Sequence, residues 1–183
     1  MAITTDGGLP IAAGQDPGGR SGARLVVGIG ELAVSSSPDD VIVTHALGSC
    51  IAVCLWDPTV RVAGLLHFLL PEAALNMERA RKQPATFADS GIALLFQTAY
   101  AQGVDKKRCL VRLVGGAEVT GLLGVGALNV GTRNILMARQ ILAENGVLVA
   151  GESTGGTIPR TVSVRASDGV VEVRSGREMV ALL

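Results

Sequence analysis

Two strongly apolar segments on either side of an Asp-Pro pair constrain the fold of this chain more than any other feature. "VIVTHAL" and "CIAVCLW" precede Asp57-Pro58, and "RVAGLLHFLLP" follows it. Short runs of β-branched and bulky apolar residues bounded by turn residues are typical of buried strands. Asp followed by Pro suits the first two positions of a type I turn. The sequence therefore predicts a buried β-hairpin centred on Asp57-Pro58.

The rest of the chain is predicted to be rich in strands, with two interspersed helices. Apolar residues at helical spacing predict a helix from about Ala88 to Gln102 and another that begins after an N-capping Thr132 and ends near Gly146. Alternating residues around Asp168-Gly169 predict a terminal hairpin. Further strands are expected at 24–34, 108–117 and 147–152. Because strands and helices do not alternate strictly, we expect an α+β fold with mixed or antiparallel sheets.

Two parts of the chain differ from this ordered pattern. Residues 1–23 are Gly-rich, contain Pro and lack periodicity, which is typical of a flexible N-terminal tail. Residues 24–183 have a length suited to a single domain. Residues 72–84 are predicted to form a polar loop, and the glycine-rich stretch 121–131 matches neither helix nor strand patterns.

Charge, hydropathy and cysteine content exclude several classes of protein. The 16 basic and 16 acidic residues balance, and no basic run offers the surface that nucleic-acid binding requires. The longest apolar run, 62–70, is too short to span a bilayer, and the N-terminus does not resemble a secretory signal. Three cysteines cannot all pair within one chain, which fits a reducing compartment. We therefore expect a cytoplasmic protein that is not inserted in a membrane.

The predicted hairpin can bring Cys50 and His67 together. If 57–60 form a four-residue loop, Trp56 faces Arg61 and Cys50 lies directly opposite His67. Side chains opposite each other on one face have Cβ atoms about 5 Å apart, which lets an imidazole meet a thiol. A loop of three or five residues, or a bulge, would change this register.

Such a pair would have the chemistry of a nucleophile and its base. An adjacent imidazolium lowers the pKa of a thiol, so the thiolate would be available at neutral pH. The Gly48-Ser49 turn before Cys50 can aim backbone N–H groups at a developing oxyanion. Thr44 can return to orient the imidazole as a third member of a triad. The competing interpretation is that Cys50 and His67 only fill the core.

The remaining cysteines and the second histidine are interpreted more simply. Cys54 and Cys109 lie within apolar strands and are expected to be core residues. His45 should point away from Thr44 by strand alternation, toward the surface or a packing contact.

A string of motifs resembles the CheD family of chemoreceptor glutamine deamidases. The motifs are "VGIGELAV", "VTHALGSCIAVCLWDP", "GLLHFLLP", "VGGAEV", "NVGTRN" and "GESTGG", and they extend from about residue 25 to 173. The resemblance implies a cysteine hydrolase that converts glutamine side chains of chemoreceptors to glutamate, with Cys50 as nucleophile, His67 as general base and Thr44 as third catalytic residue. The tail before Arg24 and the histidine at position 45 depart from the family pattern.

The resemblance also implies a fold and partners. The fold would be a sandwich of mixed β-sheets with flanking helices, like that of the cytotoxic necrotizing factor toxins. The partners would be the cytoplasmic domains of methyl-accepting chemoreceptors and a CheC-like chemotaxis phosphatase. No metal or organic cofactor is expected, because the thiol, the imidazole and water supply every group that amide hydrolysis needs.

Two other functions stay open on the sequence. A cysteine protease or a transglutaminase would need the same pair of side chains but would give other products. A non-enzymatic adaptor that binds a chemotaxis phosphatase or a receptor would need no reactive thiol at residue 50.

Overall fold

The computed structural model describes residues 22–118 and 130–183, so most of the predicted tail and of the glycine-rich stretch lies outside the described residues. The strands are β1 (Arg24–Val26), β2 (Glu31–Ser35), β3 (Val41–Leu47), β4 (Ile51–Asp57), β5 (Val62–Phe68), β6 (Leu110–Gly115), β7 (Val149–Thr154), β8 (Arg160–Arg165), β9 (Val171–Ser175) and β10 (Glu178–Leu182). The helices are α1 (Met77–Lys82), α2 (Ala88–Tyr100) and α3 (Val130–Glu144).

The strands form two mixed sheets of five strands each. The first sheet has the order β1-β3-β8-β9-β10, and the second has the order β2-β5-β4-β6-β7. Each sheet contains one parallel pair, β1 with β3 and β6 with β7, among antiparallel neighbours. The predicted α+β class with mixed sheets is therefore confirmed.

The second sheet is the middle of three layers, because both of its faces are covered. On β4, Ile51, Val53 and Leu55 pack with α2 and α3, whereas Cys50, Ala52 and Cys54 pack toward the first sheet. Successive side chains of a strand point to opposite faces, so one continuously apolar strand serves two cores. This explains why the hairpin segment is so uniformly hydrophobic.

Several predicted elements agree with the structure. Strand β3 has the predicted bounds, α2 begins at Ala88 as expected, and β8 and β9 form the terminal hairpin around Asp168-Gly169, with Val164 paired to Val171. Gly169 has a φ of 70°, the left-handed conformation that such a turn requires of its glycine.

The strand predicted at 24–34 is wrong as a single element. It is divided into β1, in the first sheet, and β2, in the second. The chain crosses between the sheets at Gly28–Gly30, where Gly30 has a φ of 76° and a Cβ would lie 2.7 Å from the Thr86 hydroxyl. Only glycine has this freedom without strain, so the sequence irregularity marks a change of sheet.

Three further predictions need correction. The predicted polar loop at 72–84 contains α1 and a short 3-10 turn on each side of it, with Asn76 capping α1 through a bond from the Arg79 N–H. Helix α3 begins at Val130, so Thr132 lies in its first turn rather than at the N-cap. Strand β10 was not predicted, because its exposed apolar residues follow no alternation.

Among the described residues, no helix has both the length and the hydrophobicity needed to cross a membrane.

Candidate active site

The three candidate catalytic residues all lie between the two sheets. Thr44 is on β3 of the first sheet, His67 is on β5 of the second, and Cys50 directly precedes β4. Thr44 and His67 are 0% and 1% exposed, and Cys50 is 6% exposed. Gly48 and Ser49, which precede Cys50, and Leu69, which follows β5, are half-buried. The turn that carries Cys50 is therefore the least buried part of the candidate site.

The predicted hairpin register is wrong by two residues. Asp57 pairs with Val62, and Ala52 rather than Cys50 pairs with His67. The loop does have four residues, but they are 58–61 instead of 57–60. Because side chains alternate with a period of two, this shift leaves Cys50 and His67 on the same face. They become diagonal neighbours, whose Cβ atoms are typically about 7 Å apart.

The buried carboxylate of Asp57 explains the shift. Its oxygens accept bonds from the Thr59 N–H at 2.9 Å and the Asp105 N–H at 3.0 Å. Arg108 binds the same carboxylate at 2.8 Å. These contacts hold Asp57 at the end of the ladder, so the turn begins one residue later than the Asp-Pro pattern predicts.

A chain of hydrogen bonds determines the tautomer of His67. The Thr44 hydroxyl donates its only hydrogen to the Val27 carbonyl at 2.6 Å. Thr44 Oγ1 also lies 2.7 Å from His67 Nδ1, so at this contact the oxygen can only accept. The imidazole therefore carries its hydrogen on Nδ1 and a free lone pair on Nε2. Among the described residues, Nε2 is buried without a hydrogen-bond partner, so its lone pair is not engaged by the protein.

The resting thiol and imidazole are both neutral, contrary to the predicted thiolate. Burial raises the pKa of the Cys50 thiol to about 11, although its own backbone N–H favours the thiolate. Burial also lowers the pKa of His67 to about 4, opposed in part by Glu31, its cross-strand neighbour. Burial therefore disfavours the charged form of both side chains.

The "GGA" motif holds the Cys50 turn by its backbone. The Gly116 N–H donates to the Cys50 carbonyl and the Ala117 N–H donates to the Gly48 carbonyl, both at 2.8 Å. At Gly115, where φ is 117°, a Cβ would lie 2.2 Å from the Cys50 carbonyl oxygen. The first glycine of the motif is therefore required by the close approach of the two chains.

The "GESTGG" motif continues this arrangement at the next strand. The Gly155 N–H donates to the Gly115 carbonyl at 2.9 Å, and Gly156 accepts from the Glu118 N–H at 2.7 Å. Glu152 forms an ion pair with Arg139 of α3. The motif thus supports the strand end that holds the Cys50 turn.

Asn134 is a site residue that sequence reasoning missed. It is fully buried on α3, and its Nδ2 donates to the carbonyls of Ser49 and Leu69, both at 2.9 Å. The only signal in the sequence was its place at the end of "NVGTRN", which we interpreted as a helix start.

The other candidates lie outside this cluster, as expected. His45 is exposed, because a β-bulge at residues 45–46 interrupts β3 and Ala46 adopts a φ of 57°. Cys54 and Cys109 are buried, and burial raises the pKa values of their thiols to about 12 and about 11. Burial raises the pKa of the Cys50 thiol to a similar value, so position and not pKa distinguishes Cys50, which lies at the end of the ladder beside half-buried Ser49.

Comparisons with known proteins identify the family of this chain. A family model described as CheD chemotactic sensory transduction matches residues 69–175. The probable chemoreceptor glutamine deamidase CheD 1 of Syntrophus aciditrophicus (strain SB) is 43% identical over 151 residues, which are 82% of this chain and 93% of that protein. The probable chemoreceptor glutamine deamidase CheD 2 of Anaeromyxobacter dehalogenans (strain 2CP-C) is 46% identical over 158 residues, 86% of this chain and 98% of that protein.

Among solved structures, Neisseria meningitidis protein NMB0706 of the DUF152 family has a TM-score of 0.38 and 17% identity, covering 69% of this chain and 52% of that one.

The family model begins at residue 69, after the three candidate residues. The match to the Anaeromyxobacter protein covers 86% of this chain and so cannot leave out residues 44–67. The match therefore includes the positions of the three candidate residues. The chain belongs to the CheD family of chemotactic sensory transduction proteins.

Proposed function

We propose that this protein is a chemoreceptor glutamine deamidase with Cys50 as its nucleophile. One observation carries the proposal: the bond from His67 Nδ1–H to Thr44 leaves a free Nε2 lone pair on the sheet face that also bears Cys50. Relatives that cover most of the chain are named as probable chemoreceptor glutamine deamidases. Residues 24–183 would act as one catalytic domain.

The first half of the reaction would form a thioester and release ammonia. His67 Nε2 takes the Cys50 proton as the sulfur attacks the side-chain amide carbon of a receptor glutamine. The negative charge on the amide oxygen is stabilised by backbone N–H groups of the turn, including that of Cys50. The imidazolium then gives its proton to the departing nitrogen, so the C–N bond breaks and ammonia leaves.

The second half would return the enzyme to its resting state. Water, activated by His67, adds to the thioester carbon, the C–S bond breaks and the sulfur regains a proton. The net change is the replacement of a neutral carboxamide by a carboxylate. Thr44 takes no proton in this sequence; it holds the Nδ1 side of the ring throughout, so that Nε2 can serve both halves.

Mass spectrometry of a receptor fragment tests the proposal. The cytoplasmic part of a chemoreceptor from the same organism is incubated with wild-type protein, Cys50→Ala or Cys54→Ala. We expect wild type and Cys54→Ala to convert specific glutamines to glutamate and Cys50→Ala to convert none. Cys54 is a matched control, because it is a buried cysteine on the same face of the same hairpin.

The same experiment distinguishes the rival functions. Chain cleavage would indicate a protease, and amine-linked products would indicate a transglutaminase. Equal conversion by wild type and Cys50→Ala would exclude the nucleophile assignment. We further propose a cytoplasmic location and a CheC-like phosphatase as a second partner. A pull-down with such a phosphatase would test for binding, and we expect deamidation to be lost in the complex.

A further inference from the structure

The two strands that carry the reactive pair separate at the point where the chemistry would occur. The antiparallel ladder of β4 and β5 ends with Ile51 opposite Phe68. Beyond it, the chain after β5 turns away, since the N–H groups of Leu69 and Leu70 both donate to the Thr86 carbonyl. Cys50 lies one residue beyond this ladder and His67 lies inside it, so the position of the thiol relative to the imidazole depends in part on how the diverging chains are held.

Asn134 bridges the opening with a single nitrogen. Its Nδ2 donates one hydrogen to the Ser49 carbonyl and the other to the Leu69 carbonyl, each at 2.9 Å. Ser49 directly precedes the proposed nucleophile, and Leu69 lies two residues after the proposed base. A carboxamide is the uncharged side-chain group that offers two N–H donors on one atom. Because both contacts are to carbonyls, the amide orientation is determined.

The helix that carries Asn134 is itself attached to the Cys50 turn. Gly131, one turn earlier on α3, contacts the Gly116 carbonyl so closely that a Cβ would lie 2.6 Å from its oxygen. Gly116 in turn donates to the Cys50 carbonyl. The helix that carries Asn134 therefore contacts the same residue, Gly116, that is bonded to Cys50.

We propose that Asn134 is a positioning residue that fixes the separation of the Cys50 thiol and the His67 imidazole. The inference rests on the proposed function, because it takes Cys50 and His67 as the reacting pair. A helix that merely filled space at this place would need no buried carboxamide, since burying an amide is costly unless it is hydrogen-bonded. Here Nδ2 has two partners, whereas Oδ1 is buried without one among the described residues. Replacement of Asn134 by Leu, of similar volume, removes both donors and frees the strand ends to move apart.

Alkylation of Cys50 by iodoacetamide, followed against pH, tests the inference without any receptor. We expect Asn134→Leu to slow alkylation in the same way as His67→Asn, because the imidazole no longer reaches the thiol. In the double variant the second substitution should have no further effect, since both remove one interaction. Independent, additive effects of the two substitutions would overturn the inference.

Steady-state kinetics on the receptor fragment give a second readout. For Asn134→Leu we expect kcat to fall about 100-fold with KM little changed, because a small misplacement of reacting groups has an effect of this size. Leu142→Ala, a cavity variant two turns further along α3, controls for lost stability and should retain kcat. If Asn134→Leu does not fold, Asn134→Ser takes its place. Serine keeps one donor, so we expect a kcat between those of wild type and a variant without donors. Equal kcat in the Asn134 and Leu142 variants at equal melting temperature would contradict a positioning role.

The two readouts separate this inference from the proposed function. If wild-type protein leaves receptor glutamines unchanged while the alkylation cycle is non-additive, the positioning role stands and the deamidase proposal falls. If glutamate forms normally in Asn134→Leu, the positioning role falls and the deamidase proposal stands.

Discussion

Thr44 Oγ1 lies 2.7 Å from His67 Nδ1 across the space between the two sheets, and the same oxygen donates to the Val27 carbonyl at 2.6 Å. A threonine on one sheet thus orients an imidazole on the other. The Val27 carbonyl determines the direction of both bonds, because a hydroxyl has only one hydrogen to give. The arrangement places the hydrogen of the imidazole on Nδ1 and leaves the lone pair on Nε2.

Replacement of Thr44 by Val should therefore disable the imidazole while preserving its packing. Val has the shape of Thr but cannot accept from Nδ1–H or donate to Val27. We expect kcat to fall by about 10- to 100-fold and the free energy of unfolding to fall by about 1–3 kcal/mol, because two buried polar groups lose their partners. Receptor deamidation and urea unfolding measure the two effects.

Thr44→Ser is the matched control for that variant. It keeps the hydroxyl and should retain most of the activity, with a small loss of stability from the missing methyl group. Comparable activity in the Val and Ser variants would show that the hydroxyl does not orient the base.

The buried imidazole should make stability depend on pH below neutrality. Burial lowers the pKa of His67 to about 4 from an ordinary 6.5, so between these values the unfolded chain binds the additional proton. Stability contributed by the neutral ring is present above pH 6.5 and is lost as the pH falls toward 4. The loss should reach about 3 kcal/mol near pH 4.

Urea unfolding of wild type and His67→Gln between pH 7 and pH 4 checks this prediction. The variant should lose stability less steeply over the range, since the titrating group is gone. His45→Gln, which removes the exposed histidine, is the comparison. An identical slope in wild type and His67→Gln would contradict a buried neutral imidazole.

Substitution of Gly115 by Ala should displace the Cys50 turn. The new Cβ would lie 2.2 Å from the Cys50 carbonyl oxygen, in addition to the strain of a φ of 117°. We expect loss of most deamidase activity and slower alkylation of Cys50. Gly146→Ala is the control, since Gly146 has a φ of 68° but nothing within 4 Å of an added Cβ. Both variants carry backbone strain of about 1–2 kcal/mol, but only the first meets a clash.

Removal of the Asp57 carboxylate should destabilise the hairpin that carries both reactive residues. Asp57→Ala leaves the N–H groups of Thr59 and Asp105 without their acceptor and frees Arg108. We expect a loss of about 2–4 kcal/mol in the free energy of unfolding. Glu78→Ala breaks an exposed ion pair with Lys82 and should cost less than about 0.5 kcal/mol. If Asp57→Ala lowered the free energy of unfolding as little as Glu78→Ala does, Asp57 would not hold the register of the hairpin.

The residues near the hairpin show how far a sequence can be interpreted. Cys54 was correctly predicted to be a core residue, because a mid-strand position in an apolar segment is a local property of the chain. The register could not be predicted, because it depends on the contact of Asp57 with Arg108, 51 residues later in the sequence. The predicted placement of Cys50 and His67 on one face is confirmed, whereas their direct pairing is wrong.

The ionisation of the site shows the same limit. The sequence places a thiol and an imidazole close together, from which a thiolate was predicted. The structure buries both between two sheets, and burial favours the neutral forms. Enclosure is a property of the assembled layers, so the charge state could not be inferred from spacing.

By itself, the sequence determined the α+β class, the strand and helix positions in most of the described chain, the family, and the three candidate residues that lie between the sheets. These follow from local patterns, namely side-chain alternation, helical periodicity and turn residues, together with a specific order of motifs. Only the tertiary structure decided the hairpin register, the division of the first strand between two sheets, the tautomer of His67 and the bridge made by Asn134. Each of these depends on contacts between residues far apart in the chain, such as Asn134 with Ser49 across 85 positions, and such contacts arise only when the layers pack.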